Sequence, residues 1–344
     1  MRKVILYFLI VFMLIFLFCL WQILGPTVKN TDKKFLYIPT NSSYGEVKDS
    51  LQKNDMLKGF FWFDKISGYA DYQENIKPGK YKIKDGMSVY RLVKMLRSGN
   101  QVPVNLVITK LRTKEDLAKR IDRYFETDSF TAINFLNSKD SLLQFEVDTN
   151  TVLTAVIPNT YTYAWTTPIE GIFKKLYREE QKFWNKARLE KAQRLQLSSR
   201  EVYTLASIVE EETNMQGDKG KIASVYINRI RKGMKLAADP TVKFAMRDFG
   251  LGRIYHKHLQ YDSPHNTYLY AGLPPGPICT PSIKTIDAVL DAPETDYLFF
   301  VARADFSGYS DFASTYQQHL IYAKAYQQAL DSLIQAKQEN QLPK

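Results

Sequence analysis

The chain has 344 residues, 45% of them apolar, and a formal net charge of +11. That length suggests two or three domains with enough apolar residues to bury a real core, and the basic balance points to nucleic acid, anionic lipid or an acidic polymer as partner. No helix-turn-helix, RNP or zinc-finger spacing is present, so nucleic acid is the weakest of the three and is not expected as a partner.

Val4 to Trp21 carries no charge over 18 residues, and only Gln22 interrupts the run to Leu24. As a helix these residues span roughly 31 Å, the thickness of a hydrocarbon core. We expect an uncleaved single-pass anchor embedded through residues 4–24. A cleavable signal peptide usually has a shorter apolar region, and no small-x-small site follows Leu24. Arg2 and Lys3 precede the span while Lys29, Lys33 and Lys34 follow it, so the positive-inside count is nearly balanced. Cys19 lies in the span behind bulky Phe18, which argues against lipidation, and Cys279 lies beyond it. No intrachain disulfide or metal cluster can be built from these two, and no cofactor is expected.

Residues 26–34 read as a polar linker. Phe35–Ile38 reads as a strand, Ser43 to Asn54 as a helix, and a second strand begins at Gly79. Ser88 caps a helix with Val89, Leu92, Val93 and Leu96 on one face, closed by Gly99. Val102, Val104, Leu106 and Ile108 alternate as a half-buried strand. The aromatic run Phe60–Phe63 reads mainly as core packing, although exposed members could stack on sugar rings. Thr113 to Phe125 is a helix with Glu115 and Asp116 in its first turn, and Phe135 to Val152 is amphipathic but irregular. Thr167 and Glu170 form a capping box around Pro168, opening a helix that runs to about Leu195 with a solvated Lys/Glu face.

The stretch from Ser198 to Thr241 organises the rest. Ser198 and Glu201 form a second capping box, and Val202, Leu205, Ala206 and Val209 recur at the period of a core-facing stripe. Glu210, Glu211 and Glu212 close that helix. At about 100° per residue Glu211 faces water, while Glu210 and Glu212 fall on the flanks, where a carboxyl can be half buried. Acids at a helix C-terminus oppose the macrodipole, so the cluster costs stability and hints at function. Periodicity alone does not choose between Glu210 and Glu212. Beyond Thr241 come turn-rich loops over Tyr261–Tyr268 and Gly272–Ile278, a short helix over Ser282–Leu290, a buried strand over Tyr297–Val301 and a last helix from Thr315 to about Lys337.

The strings LASIVEEET and DKGKIASVYINRIRKGMKLAADPTV resemble the signature of the endolytic murein transglycosylases, the YceG-like family. Ala206, Ser207, Ile208, Val209, Glu210, Glu212 and Thr213 match its first part, and Asn228, Arg229, Gly233, Met234, Leu236, Asp239, Pro240 and Thr241 its second. Two loop elements also match, with His265 in place of a tyrosine, and Asn159 stands where the family has an aspartate. GKYKIKDGMSVYRLVKMLRSG is similar to the family's LysM-like portion; a plain α+β spacer is the other reading of that stretch.

The resemblance implies an α+β fold: a single N-terminal transmembrane helix (cytoplasmic tip and anchor, 1–25), a linker (26–34), a LysM-like module (35–110) and a mixed α+β catalytic domain (111–344). It implies a lytic transglycosylase on the outer side of the cytoplasmic membrane. Such an enzyme cleaves the MurNAc–GlcNAc bond within nascent peptidoglycan strands and leaves a 1,6-anhydro-MurNAc end, helping to terminate glycan elongation. Peptidoglycan glycan strands would be the substrate, with peptidoglycan synthases as candidate partners. The resemblance puts the catalytic glutamate at Glu210, first acid and then base. Desolvation at the helix edge would keep it protonated, helped by Glu212. Glu212, Asn228, Asp239, Thr241, Asn266 and Tyr268 are the expected substrate-binding or supporting groups. The alternatives are a hydrolytic muramidase, with Asp239 as second carboxylate, and a non-enzymatic wall-binding anchor.

Overall fold

The computed structural model describes residues 2–29, 35–57 and 59–339. It is a mixed α+β chain whose elements fall into two compact units. The first draws on Met1–Leu106, Ile121–Asp128 and Thr162–Ile169; the second on Val107–Arg120, Ser129–Tyr161 and Glu170–Lys344.

The chain opens with helix α1 (Arg2–Leu24), long and apolar enough to cross a membrane, and with none of its residues buried. There follow strand β1 (Phe35–Ile38), helices α2 (Tyr44–Lys53) and α3 (Phe61–Tyr69), strand β2 (Gly79–Lys82), helix α4 (Val89–Ser98) and strand β3 (Val104–Val107). β1 and β2 pair antiparallel, Phe35 against Lys82 and Ile38 against Gly79. Leu36, Ile38, Leu51, Phe63, Tyr81 and Leu92 meet in one buried core. Local chemistry sets the ends of these helices. Ser43 and Glu46 form a capping box on α2, Ser88 accepts from the amide of Arg91 on α4, and Gly99 ends α4 at φ 67°, where only glycine is unstrained. Of the aromatic run, Phe63 is buried and Phe60 and Trp62 pack on the core, but Phe61 is exposed. Thr27, Val28 and Lys29, in the stretch expected as a linker, are hydrogen-bonded into this unit; residues 30–34 lie outside the described residues.

Helices α5 (Lys114–Tyr124), α6 (Ser129–Asn137) and α7 (Lys139–Leu143) come next, then a short 3-10 turn (Val152–Ala155) and strand β4 (Thr160–Tyr163), which pairs with β3. The helix expected from Thr167 to Leu195 is two: α8 (Ile169–Phe183) and α9 (Lys186–Leu195). Asn185 separates them, because its extended backbone and its side chain, accepting from the amide of Arg188, start a new helix. The capping box expected at Thr167 does not form. The Thr167 hydroxyl donates to the Ala164 carbonyl, and Glu170 accepts from Gln144. Nor is the Lys/Glu face wholly solvated, since Glu180 is only 6% exposed.

The remaining elements are α10 (Ser199–Glu212), α11 (Gln216–Arg231), α12 (Asp239–Met246), α13 (His256–Leu259), α14 (Ile283–Leu290), strands β5 (Phe299–Ala302) and β6 (Ser310–Ala313), and α15 (Tyr316–Glu339). β5 and β6 pair antiparallel. The expected buried strand is β5, which is only half-buried. α9, α10, α11 and α14 share the largest part of the second core, with α10 at its centre.

Candidate active site

α10 is an interior helix. Every residue from Val202 to Val209 is buried, on all sides of the helix, so the expected single stripe is too narrow a description. Each buried Val, Leu or Ile contributes about 1.5–3 kcal/mol. The polar members are satisfied internally. The Tyr203 hydroxyl donates to the Val156 carbonyl at 2.6 Å, and the Ser207 hydroxyl donates to the Thr204 carbonyl at 2.6 Å and accepts from the Ile278 amide at 3.0 Å. The Ser207–Ile278 bond fixes the Gly272–Ile278 loop against α10. At Gly276 that loop lies so close to the Asn150 carbonyl that no side chain fits. A rigid central helix therefore delivers the three glutamates at its C-terminal end.

The three meet different surroundings. Glu211, expected to face water, has a side chain only 17% exposed, with Lys110 Nζ 2.7 Å and an Arg112 guanidinium nitrogen 3.4 Å from its carboxylate. Glu210 accepts from Lys219 Nζ at 2.9 Å, from the Ser282 hydroxyl at 3.2 Å and from the Thr285 hydroxyl; Lys219 also donates to Thr285 at 2.6 Å. Burial alone would raise the pKa of Glu210. The hydrogen bonds from Thr285 and Lys219, the charge of Lys219 and the Ser282 contact outweigh it and hold the carboxyl below its ordinary value. The expectation that desolvation keeps Glu210 protonated is thus corrected: its side chain meets a buried ammonium that the sequence pattern did not reveal.

Glu212 is the carboxyl that desolvation does raise, to about 7. The Tyr226 hydroxyl donates to its Oε1 at 2.6 Å and lowers it somewhat, the Asp239 charge raises it, and Arg229 and Lys243 lower it. Tyr226 is buried in the middle of α11. Arg229, one turn on, donates to the carbonyls of Leu298 and Leu236. Asp239, exposed at the start of α12, accepts from the Tyr268 hydroxyl at 2.7 Å. Glu212 itself remains partly accessible. Three of the expected residues (Glu212, Asp239 and Tyr268) are therefore electrostatically coupled in one place, together with Tyr226 and Arg229.

The other three have structural work. Asn228 donates to the carbonyls of Thr295 at 2.8 Å and Tyr297 at 3.0 Å, tying α11 to the segment that leads into β5. Thr241 is fully buried and bonds the Ala238 carbonyl and the Thr267 hydroxyl. Asn266, also fully buried, donates to the carbonyls of Leu259 and Tyr261 and accepts from the Tyr268 amide. This places Tyr268 against Asp239, so Asn266 shapes the site through its neighbour. His265 packs on Phe244 at 4.8 Å between ring centres, and burial pushes its imidazole down to about 4, which leaves it neutral.

The YceG-like family model matches residues 36–325. The chain belongs to the YceG-like family. It is 28% identical over 318 residues to a protein of Bacillus subtilis (strain 168) named endolytic murein transglycosylase, covering 87% of this chain and 86% of that one. It is 26% identical over 304 residues to a protein of the same name in Streptococcus pneumoniae serotype 2 (strain D39 / NCTC 7466), of which it spans 53% of the length. Among solved structures, a yceG-like protein of Listeria monocytogenes at 2.6 Å superposes with a TM-score of 0.56 at 27% identity, covering 83% of this chain and 97% of that one. The YceG-like signature strings fall on α10, α11 and the start of α12, the elements that carry Glu212, Tyr226, Arg229 and Asp239.

Sequence reasoning singled out neither Tyr226 nor Lys219 as a functional group. Lys219 could have been noticed as a cation in the first turn of α11, a place that disfavours positive charge unless a carboxylate meets it. Tyr226 carries no such signal, because one buried tyrosine on an apolar helix reads as core.

Proposed function

We propose that the chain is a membrane-anchored endolytic lytic transglycosylase that cleaves the MurNAc–GlcNAc bond within nascent peptidoglycan strands, with Glu212 as its acid and base. The observation that carries this reading is Glu212, a half-buried residue whose carboxyl desolvation raises to about 7. Cleavage needs a proton donor at neutral pH for the leaving oxygen, and an acid with a pKa near the working pH is best suited to it. Glu210, ion-paired and ionised, lacks that proton.

Tyr226 occupies Oε1, so the proton resides on Oε2. Glu212 gives it to the glycosidic oxygen as the C1–O bond breaks. The muramyl C6 hydroxyl then attacks C1, and its proton returns to Glu212, leaving a 1,6-anhydro end and a restored acid without consuming water. Intramolecular attack gains from proximity. In the ionised interval, Arg229 and the Tyr226 hydroxyl stabilise the carboxylate, while the Asp239 charge disfavours it and drives reprotonation. In this reading Asp239 and Tyr268, bonded to each other and electrostatically coupled to Glu212, help to position the glycan.

In this reading α1 anchors the protein in the cytoplasmic membrane with the remaining domains outside, and residues 35–110 form a LysM-like module ahead of the catalytic domain at 111–344. The antiparallel β1–β2 pair with α2 and α3 between its strands supports a glycan-binding module of that kind. Mass spectrometry of digested peptidoglycan tests the reaction. Anhydro-muropeptides are expected; reducing ends, heavier by one water, would mean hydrolysis and turn attention to Asp239 as the second carboxylate.

A further inference from the structure

A pocket of about 740 Å³ lies at the exit of α1. Trp21 and Gln22 of the helix itself line it, together with Pro26, Phe60, Phe61 and Trp62. Its position is fixed by the chain that follows α1. The Val28 amide donates to the Met87 carbonyl at 2.9 Å, the Gly86 amide donates to the Val28 carbonyl at 3.1 Å, and Val28 bridges Leu57. The Thr27 hydroxyl accepts from the Val89 amide at 3.2 Å. Val28 follows Leu24 by four steps of the chain, a reach of at most about 14 Å.

α3 adds a second feature. Phe61, Lys65 and Tyr69 follow one another at i, i+4 and i+8, and all three are exposed, Phe61 at 64% and Tyr69 at 97%. Lys65 Nζ lies 6.0 Å from the Phe61 ring centre. Aromatic rings beside a lysine are the composition found at the headgroup level of membranes, where an amphipathic side chain places its apolar body in the acyl boundary and its polar end in water. In an aqueous setting this face would leave large rings uncovered.

We propose that the pocket and the exposed face of α3 at Phe61 form a lipid-docking surface, which takes phospholipid of the leaflet that α1 leaves and holds the first unit flat on the bilayer. The inference rests on the reading of α1 as a membrane span. Once α1 is in the bilayer, the geometry leaves little choice of occupant. The pocket begins on the span at Trp21, and the headgroup layer reaches only about 5–8 Å beyond the hydrocarbon core. Lys65 and Lys29, which lines the pocket with Asp85 and pairs with Asp55 at 3.4 Å, then face the phosphate layer, while Phe61 and Trp62 reach the acyl boundary. The consequence is regulatory in geometry: a module pinned at the membrane has no tether along which to move.

The test uses the full chain in vesicles of phosphatidylcholine and phosphatidylglycerol, with and without phosphatidylcholine brominated near the top of its acyl chains. Comparing wild type with Trp21→Phe and with Trp62→Phe isolates the emission of each tryptophan. Bromolipid should quench both, the Trp62 share by about twofold or more, as for a ring at the interface. Phe61→Asp should release Trp62 from quenching and leave Trp21 quenched, while Phe61→Leu keeps both. If Trp21 is quenched and Trp62 is not, the docking surface is wrong and the anchor stands. If neither is quenched, the anchor reading falls and this one with it. Protection of Trp62 from aqueous iodide by glycan oligosaccharides, without bromolipid quenching, would make the pocket a sugar site and overturn the proposal.

Discussion

The Tyr226 hydroxyl donates to Glu212 Oε1 at 2.6 Å, and both groups sit in surroundings that disfavour their ionised forms. An acid catalyst must be protonated to act, so kcat/KM should be flat below about 7 and fall as pH rises through the Glu212 value. The Tyr226 bond lowers that value, so Tyr226→Phe should raise it and move the falling limb to higher pH by up to about one unit. A pH–rate series on soluble glycan strands checks this; a limb that stays put or moves down contradicts it.

The Asp239 charge acts in the opposite sense, raising the Glu212 pKa. Asp239→Asn should therefore shift the limb to lower pH, while the asparagine Oδ1 still accepts from the Tyr268 hydroxyl. The products should still be anhydro ends. Loss of all turnover with unchanged glycan binding would instead give Asp239 a direct part in the chemistry.

Glu180 offers a stability test away from the site. Desolvation raises its carboxyl to about 7 from an ordinary 4.5. Between those values the folded chain holds a proton that the unfolded chain lacks, so stability falls as pH rises through that window, and the loss is complete above it. Glu180→Gln removes this cost. It should raise stability by about 1–3 kcal/mol at pH 8 and have little effect at pH 4. Urea denaturation at the two pH values measures the difference; an equal effect at both would mean that Glu180 does not titrate in this range.

Most helices were legible because their ends are written in local chemistry. Ser43, Ser88, Ser198 and Ser282 each accept from a first-turn amide as their positions imply, and Gly99 ends α4 in the left-handed region. The Asn185 break was missed because the apolar period runs through it, and only the side-chain cap shows the restart. At the candidate site, the sequence placed two carboxyls on the flanks of α10 and could go no further. What separates them is long-range: Lys219 and Thr285 reach Glu210, and Tyr226 reaches Glu212. Spacing along one helix carries no information about which residue of another helix lies opposite.

Asn228 tests the distinction between a glycan contact and a structural tie. Its two bonds to the carbonyls of Thr295 and Tyr297 join α11 to the approach of β5. Asn228→Ala should destabilise the fold by about 1–3 kcal/mol while leaving the position of the pH limb unchanged. A stable variant with a raised KM would restore Asn228 to the glycan cleft.

The most direct measurement of the central claim compares Glu212→Gln and Glu210→Gln on the same peptidoglycan, with products read by mass spectrometry below the melting temperature of each variant. Glu210→Gln leaves the Lys219 ammonium buried beside a neutral amide, so it should lower stability by about 3 kcal/mol. It should nonetheless still release anhydro-muropeptides. Glu212→Gln should fold normally and release about 100-fold less, or none, as expected for loss of the proton donor. The reverse result, with an active Glu212→Gln and a folded but inactive Glu210→Gln, would contradict the account and return the acid to Glu210.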